Sequence, residues 1–205
     1  MAISPTAPLL TASPLRRLRN FLLRAALAGL VILLSAQITF FAVHAAHLLA
    51  YPYPLDYGEG PLLTQINLLR NGVPLWQLYA NPDQPPYAVV NYPPLYHLTA
   101  TLLALLTNNT LLAGRLVSLL STAAAIIALW LLTGAAPKQV APAPVVTRQF
   151  LIRGVRIALV LAFLAIPIVR EWAVVVRVDM LGLALGLWAL VIVQRTAGRR
   201  AVLWA

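Results

Sequence analysis

The sequence predicts an all-α integral membrane protein with about four transmembrane helices and two further helices in the first outer loop. Hydrophobic residues make up 61% of the 205-residue chain and charged residues only 10%, and the mean hydropathy is +0.84. Soluble domains are about 45–50% apolar and about 25% charged. A lipid bilayer is therefore the environment that fits this composition.

The composition also excludes several kinds of site and partner. The chain has no cysteine, which rules out disulfides, thiolate metal sites and a cysteine nucleophile. The net charge of +10 would suggest nucleic-acid binding in a soluble protein. Here the arginines flank apolar segments, so the positive-inside rule explains the charge and we expect a bilayer, not a nucleic acid, as the partner.

Four apolar segments are the candidates for membrane spans. The first covers residues 22–50 and is too long for the ~7–15-residue core of a signal peptide, so it is interpreted as an uncleaved anchor. The second and fourth, 111–132 and 178–194, are close to the roughly 20 residues that cross a bilayer. The third, 155–170, has a shorter apolar core that contains Pro167, so its flanking arginines must extend towards the interface.

A fifth apolar segment, 94–107, is too short to span, and the distribution of charge decides where it lies. If it does not cross, eleven of the fifteen Lys and Arg residues lie on one side of the membrane and all five acids lie on the other. If it crosses, the basic residues divide seven to eight. The positive-inside rule favours the first arrangement. It places the N-terminal tail 1–20 in the cytoplasm and the loop 51–110 outside, with 94–107 at the interface.

This outer loop contains a predicted surface helix that is preceded by two acids. Pro61 and Gly72 bracket a segment with its apolar residues on one face, which predicts a helix over 61–71 that lies on the membrane surface. Asp56 and Glu59 precede it among glycines, and such a pair can bind a cation, accept protons or orient hydroxyl groups. The alternative is two solvated loop acids, one of which caps the helix.

Ionisable residues also flank the third and fourth spans. Arg170 and Glu171 follow the third span, and Arg177 and Asp179 precede the fourth. Charged groups so close to hydrocarbon are costly, so they are candidates for functional residues. The arginines suit phosphate binding, and Asp179 can face the same space as the two loop acids. The alternative is a set of ion pairs that fixes a tight turn.

The order of these motifs along residues 20–195 resembles the N-terminal part of the GT-C glycosyltransferases. These are membrane enzymes related to protein O-mannosyltransferases, aminoarabinose transferases and RgtA/B/C/D-like proteins. The motifs are Asp-Tyr-Gly-Glu-Gly at 56–60, Arg-Asn-Gly at 70–72, Asn-Tyr-Pro-Pro-Leu-Tyr-His at 91–97, Ala-Gly-Arg-Leu-Val-Ser at 113–118 and Arg-Val-Asp-Met-Leu at 177–181. No single motif is specific, and the ordered set matched to the topology carries the resemblance.

The resemblance implies an enzyme of the cell envelope, a multi-pass protein of the plasma (inner) membrane. It would transfer a sugar from a polyprenyl-phosphate donor to an acceptor at the outer face, with inversion of the anomeric centre. The implied catalytic acids are Asp56 or Glu59, and Asp179. The residues that would bind the substrate are Arg170, Arg177, Tyr92, Tyr96 and His97. Taken singly, Tyr96 and His97 are better explained as interfacial anchors.

Some members of this family use a divalent metal ion, which Asp56 and Glu59 would hold here, and others do not. Family members are longer and have more spans, so the resemblance implies that residues 21–205 are a truncated transmembrane domain. One alternative is a transporter or flippase fragment, which predicts ionisable groups near the middle of the spans. Another is a non-catalytic scaffold, in which Asp56, Glu59 and Asp179 would not converge.

Overall fold

The computed structural model describes residues 14–79, 83–84, 91–134 and 145–200. Most of the predicted tail 1–20 and part of the basic segment 134–156 therefore lie outside the described residues. Within the described ranges the chain forms α-helices and a 3₁₀ turn at Leu75–Gln77, with no β-strand. The helices are α1 (Pro14–Ala50), α2 (Glu59–Arg70), α3 (Leu95–Thr107), α4 (Thr110–Thr133), α5 (Val145–Ala165), α6 (Pro167–Trp172) and α7 (Asp179–Arg200).

Three of these helices are long and apolar enough to cross a membrane. They are α1 over Arg17–Ala50, α4 over Thr110–Thr133 and α7 over Asp179–Thr196. They coincide with the first, second and fourth predicted spans. The predicted class, an all-α membrane protein, is therefore confirmed.

The predicted span 155–170 is not one continuous helix. α5 ends at Ala165, Ile166 is extended with φ −64° and ψ 120°, and Pro167 begins α6. Proline lacks the amide hydrogen that the next helical turn needs and favours extended backbone in the residue before it. The Gln37 side chain of α1 donates to the Leu164 carbonyl at 3.3 Å, so one of the last carbonyls of α5 has a partner outside its own helix.

The two predicted loop helices are present as α2 and α3. The apolar face of α2, however, packs into the protein instead of lying open to the membrane surface, because α3 and α4 cover it. Leu62 and Ile66 are buried. They form a core cluster with Tyr96, Ala100, Val117 and Val176. This cluster fixes the loop helices against the first turns of α4, where the candidate site lies.

The packing is centred on α4, which contacts α7 and α3 most extensively. Asn108 turns the chain from α3 into α4 with a left-handed φ of 53°, a conformation that Asn adopts more readily than most residues. Asn109 then caps α4, since its side chain accepts from the Leu112 amide at 3.0 Å. Near the start of α4, Gly114 allows Val176 to approach closely, which brings the segment before α7 onto this helix.

Candidate functional site

The candidate site forms where residues 51–58 meet residues 173–178, beside the Ala50 end of α1 and the first turns of α4. The segment 173–176 is buried. Ala173 and Val174 pack with Ala45 of α1 in a second core cluster. Two chain segments without helical structure are thus held side by side, and four of the eight predicted site residues lie on them or next to them: Asp56, Glu59, Arg177 and Asp179.

A buried ion pair lies at the centre of this junction. Arg115 of α4 and Glu59 of α2 are both 0% exposed, and Arg115 Nε lies 3.5 Å from Glu59 Oε1. Arg115 Nη1 donates to the carbonyls of Leu48 and Tyr51, each at 2.5 Å. Nη2 donates to the Tyr53 carbonyl at 2.8 Å. The arginine thus binds main-chain carbonyls at the end of α1 and in the loop that follows it.

The Glu59 carboxylate is surrounded by main-chain donors as well as by the arginine. Its Oε2 accepts from the amides of Leu55 at 2.5 Å and Asp56 at 3.4 Å. Its Oε1 accepts from the Val176 amide at 2.8 Å. Both oxygens are therefore engaged inside the protein. Glu59 is the first residue of α2, and its side chain points to the interior instead of to a ligand.

Asp56 has a different environment, because it pairs with Arg177 at the surface of the junction. Asp56 Oδ2 contacts Arg177 Nη2, and the two side chains are 22% and 12% exposed. Burial would lower the pKa of Arg177. The charge of Asp56, together with hydrogen bonds from Arg177 to Tyr57 and Asp56, outweighs this effect and raises the pKa above its ordinary value. The guanidinium carbon lies 5.5 Å from the Tyr57 ring centroid and 5.2 Å from that of Trp172.

The Asp56–Arg177 pair opens onto a cavity of about 320 Å³, here called the His44 cavity. Its lining residues are His44, Leu48, Leu55, Asp56, Glu171, Trp172, Val175 and Arg177. His44 Nε2 and Arg177 Nε are buried and have no hydrogen-bond partner among the described residues. The cavity therefore combines two acids and unused nitrogen atoms with aliphatic and aromatic walls, which suits a ligand that carries hydroxyl groups on an apolar frame.

Asp179 faces another cavity of about 490 Å³, here called the Tyr92 cavity, whose lining includes Tyr92, Tyr96 and Gly182. The Tyr96 hydroxyl does not serve this cavity. It donates to the Gly114 carbonyl at 2.9 Å and lies 3.2 Å from Ser118 Oγ, and burial raises the pKa of Tyr96. The Tyr92 cavity is consequently more apolar than the His44 cavity.

The three predicted catalytic acids thus converge on one short segment but point to different places. Glu59 bonds the Val176 amide inside the protein, Asp56 pairs with Arg177 at the His44 cavity, and Asp179 lines the Tyr92 cavity. Because Asp56, Glu59 and Asp179 line no common cavity among the described residues, this arrangement is the one that we expected for a scaffold. It does not bring all three acids to one reacting centre.

Arg170 and His97, two further predicted substrate-binding residues, line neither the His44 cavity nor the Tyr92 cavity. The Arg170 guanidinium carbon is 5.1 Å from the ring centroid of Phe40 on α1, while its neighbour Glu171 lines the His44 cavity. His97 is fully buried in α3. Burial lowers the pKa of His97, although the Pro93 carbonyl opposes the shift. The contacts of Arg170 and His97 therefore indicate a role in packing and not in ligand binding.

The residues present do not fit a divalent metal ion. Asp56 and Glu59 each contact an arginine and lie in different environments. In the part of the chain that the structure describes, no three His, Asp or Glu side chains form a group able to hold a metal. We therefore assign no chemistry of the site to a metal.

Sequence reasoning missed Arg115, His44 and Trp172 as parts of the site. A signal existed for Arg115, which is the single charged residue in the apolar segment 111–132. A lone ionisable residue within a span is a default candidate for a special role. His44, an ionisable residue in the segment 22–50, gave a similar signal. Trp172 gave none, because its place at the site depends on how the chain packs after α5.

Comparison with known proteins adds no relative: no family model, curated protein or solved structure matches the chain. The geometry of the site is therefore the basis for interpreting its function.

Proposed function

We propose that the chain is a membrane glycosyltransferase, or part of one, that transfers a sugar from a polyprenyl-phosphate donor to an acceptor. The observation that carries this proposal is the Asp56–Arg177 pair at the edge of the His44 cavity. A transfer from a phosphate donor needs a base near the acceptor hydroxyl and a positive charge near the leaving phosphate. The pair supplies both groups beside helices that suit a lipid-linked substrate.

Asp56 is the better candidate for the base than Glu59. It is partly exposed at the cavity, whereas Glu59 is fully buried and engaged by main-chain amides and Arg115. In the proposed step, the acceptor hydroxyl gives its proton to Asp56 and its oxygen forms a bond to the anomeric carbon. The bond from that carbon to the phosphate oxygen breaks, and the electron pair leaves with the phosphate.

Arg177 is suited to stabilise that leaving group. A guanidinium has five N–H donors in a planar fork, so it can hold a carboxylate and a phosphate oxygen at the same time. Nη2 contacts Asp56, while Nε is buried without a partner among the described residues. The Tyr57 and Trp172 rings beside the guanidinium keep it close to the cavity.

The rest of the His44 cavity supports a sugar as the bound group. Its volume of about 320 Å³ is at the lower end of the ~300–1,000 Å³ range of ligand sites. Glu171 and His44 can bind hydroxyl groups, and Trp172 offers an apolar face to the carbon side of a sugar ring. We further propose that this side of the membrane is the outer face of the plasma membrane and that the N-terminus is cytoplasmic, as the positive-inside rule favours.

One observation favours a second candidate function, a transporter or flippase part. The helix that follows the basic segment breaks at Ile166 and Pro167, and Arg170 and Glu171 follow the break. Broken helices with nearby ionisable groups are typical of transporter sites. We prefer sugar transfer, because Glu171, which follows the break, lines the same cavity as the candidate base Asp56.

The two functions are separated by an assay in proteoliposomes. The purified chain is supplied with polyprenyl phosphates that carry tritiated hexoses or pentoses, and with a membrane lipid extract as the source of acceptor. We expect label to move from the donor to an acceptor, and Asp56→Asn to slow this movement by about 100-fold or more, while Asp83→Asn in the exposed part of the loop does not. Donor that crosses the bilayer chemically unchanged would instead support the transporter and contradict the proposal.

A further inference from the structure

We infer that Glu59 and Arg115 form a positioning pair, here called the Glu59–Arg115 bridge, that fixes Asp56 relative to Arg177 without touching substrate. The catalytic consequence of this inference rests on the proposed function, but the positioning itself does not. Both side chains are 0% exposed, so neither can reach a ligand in the His44 cavity. Their contacts lead instead to the main chain on both sides of the Asp56–Arg177 pair.

The Glu59 carboxylate is the link between the two segments that carry this pair. Oε2 accepts from the Asp56 amide itself and from the preceding Leu55 amide. Oε1 accepts from the amide of Val176, the residue immediately before Arg177. The separation of the two segments is therefore set by the width of one carboxylate group.

Arg115 fixes the same loop from the other side. Its two terminal nitrogens bind the carbonyls of Leu48, Tyr51 and Tyr53. These carbonyls lie at the end of α1 and in irregular chain, where buried main-chain groups need a partner. Because Arg115 projects from α4, the helix on which α3 and α7 pack, the loop is tied to the helix at the centre of the packing.

An isosteric substitution separates positioning from simple charge pairing. In Glu59→Gln, one end of the side chain remains an acceptor and the other becomes a donor. All partners of the Glu59 oxygens are donors. Whichever way the Gln amide turns, its NH₂ group therefore faces other donors, either the Val176 amide and Arg115 or the Leu55 and Asp56 amides. One half of the bridge is therefore lost, although the volume of the side chain is kept. Arg115→Lys keeps the charge but cannot reproduce the fork that binds several carbonyls.

The test uses a single spin label, because the chain has no native cysteine. Tyr57 is 89% exposed next to Asp56, and Trp76 is 80% exposed in the 3₁₀ turn. A nitroxide is attached to Tyr57→Cys or, as the control position, to Trp76→Cys, in protein held in lipid nanodiscs. All samples labelled at position 57 lack the same tyrosine ring, so the variants are compared on one background at each labelled position.

We expect Glu59→Gln to shorten the rotational correlation time at position 57 by about twofold or more, in the nanosecond range of loop motion. Position 76 should not change. Arg115→Lys should give a smaller change of the same sign, and Arg70→Met, at the far end of α2, should give none. Arg115→Lys keeps the test available if Glu59→Gln does not fold, because it preserves the buried charge.

Two results of the spin-label experiment would overturn the inference. An unchanged spectrum at position 57 in both bridge variants would show that the bridge does not order the loop. Equal loosening at positions 57 and 76 would show that it merely holds the fold together. Both outcomes are independent of enzymatic activity, so a failure of the proposed function is recognised separately, by the absence of sugar transfer in the unsubstituted protein.

The activity assay adds a readout of positioning. Glu59→Gln should lower the rate of sugar transfer by about tenfold or more. One unsatisfied buried donor costs enough free energy to change an equilibrium or a rate by about this factor. In the Asp56→Asn background the same substitution should lower the rate by much less than tenfold, because the base that the bridge positions is already absent. A further tenfold loss in that background would contradict the inference.

Discussion

Gly114→Ala tests the contact that places the segment before α7 on α4. A Cβ at position 114 would lie 2.9 Å from both methyl groups of Val176 and 3.4 Å from its Cβ. Ordinary carbon–carbon contacts are about 3.5–4.0 Å, so α4 and Val176 must separate by roughly 0.5–1 Å. Val176 is fully buried and its amide is bound to Glu59, which limits how far it can move.

The magnitude follows from two opposing effects. Overpacking of a buried contact costs about 1–3 kcal/mol, whereas Ala in place of Gly in a helix contributes up to about 1 kcal/mol of stability. We therefore expect Gly114→Ala to lower the free energy of unfolding by about 1–2 kcal/mol. Gly186→Ala in α7 is the matched control, since nothing lies within 4 Å of an added Cβ there, and it should be neutral or slightly stabilising.

The assay is equilibrium unfolding in mixed micelles, with an increasing fraction of a denaturing detergent and helicity followed by circular dichroism. Val176→Ala removes the methyl groups that the new Cβ meets, so the double variant Gly114→Ala/Val176→Ala should be more stable than additivity predicts, by about 1 kcal/mol. Equal stability of the Gly114 and Gly186 variants, or strict additivity in the double variant, would refute the close contact.

Two further predictions concern pH and topology. Because burial lowers the pKa of His97, the unfolded chain binds a proton more readily, so stability should fall as the pH drops below about 6.5, by up to about 1.4 kcal/mol per pH unit. His97→Gln should reduce this loss between pH 7.5 and 5.5 in the unfolding assay, and an unchanged slope would contradict the assignment. For topology, Trp76→Cys in intact cells should react with an impermeant maleimide and Thr196→Cys only after permeabilisation, whereas the reverse pattern would contradict the charge-based orientation.

The sequence predicts those helices whose signals are local. Long apolar segments predict α1, α4 and α7, and proline and glycine punctuation predicts α2. The break after Ala165 was visible only as Pro167 within an apolar segment, and a proline can either kink a helix or end it. The buried face of α2 could not be distinguished from a membrane-facing one, because both need the same apolar residues at 62 and 66 and differ only in whether α3 covers them.

The division of labour between Asp56 and Glu59 could not be predicted, because it depends on distant residues. The two acids are three positions apart among glycines, and local chemistry treats them alike. Glu59 is drawn inside by Arg115, 56 positions away, and by the Val176 amide, 117 positions away. Asp56 meets Arg177 only because that bridge joins the two segments. Such contacts follow from the packing of α2, α4 and α7 and leave no pattern in the local sequence.

The role proposed for Asp56 is that of the reacting base in sugar transfer. It is tested most directly by the kcat and KM for a polyprenyl-phosphate sugar in Asp56→Asn protein beside Asp83→Asn. We expect Asp56→Asn to lower kcat by about 100-fold or more, the usual contribution of a general base, with KM changed far less, while Asp83→Asn retains both values. A kcat within a few-fold of that of the unsubstituted protein in Asp56→Asn would contradict the proposed role.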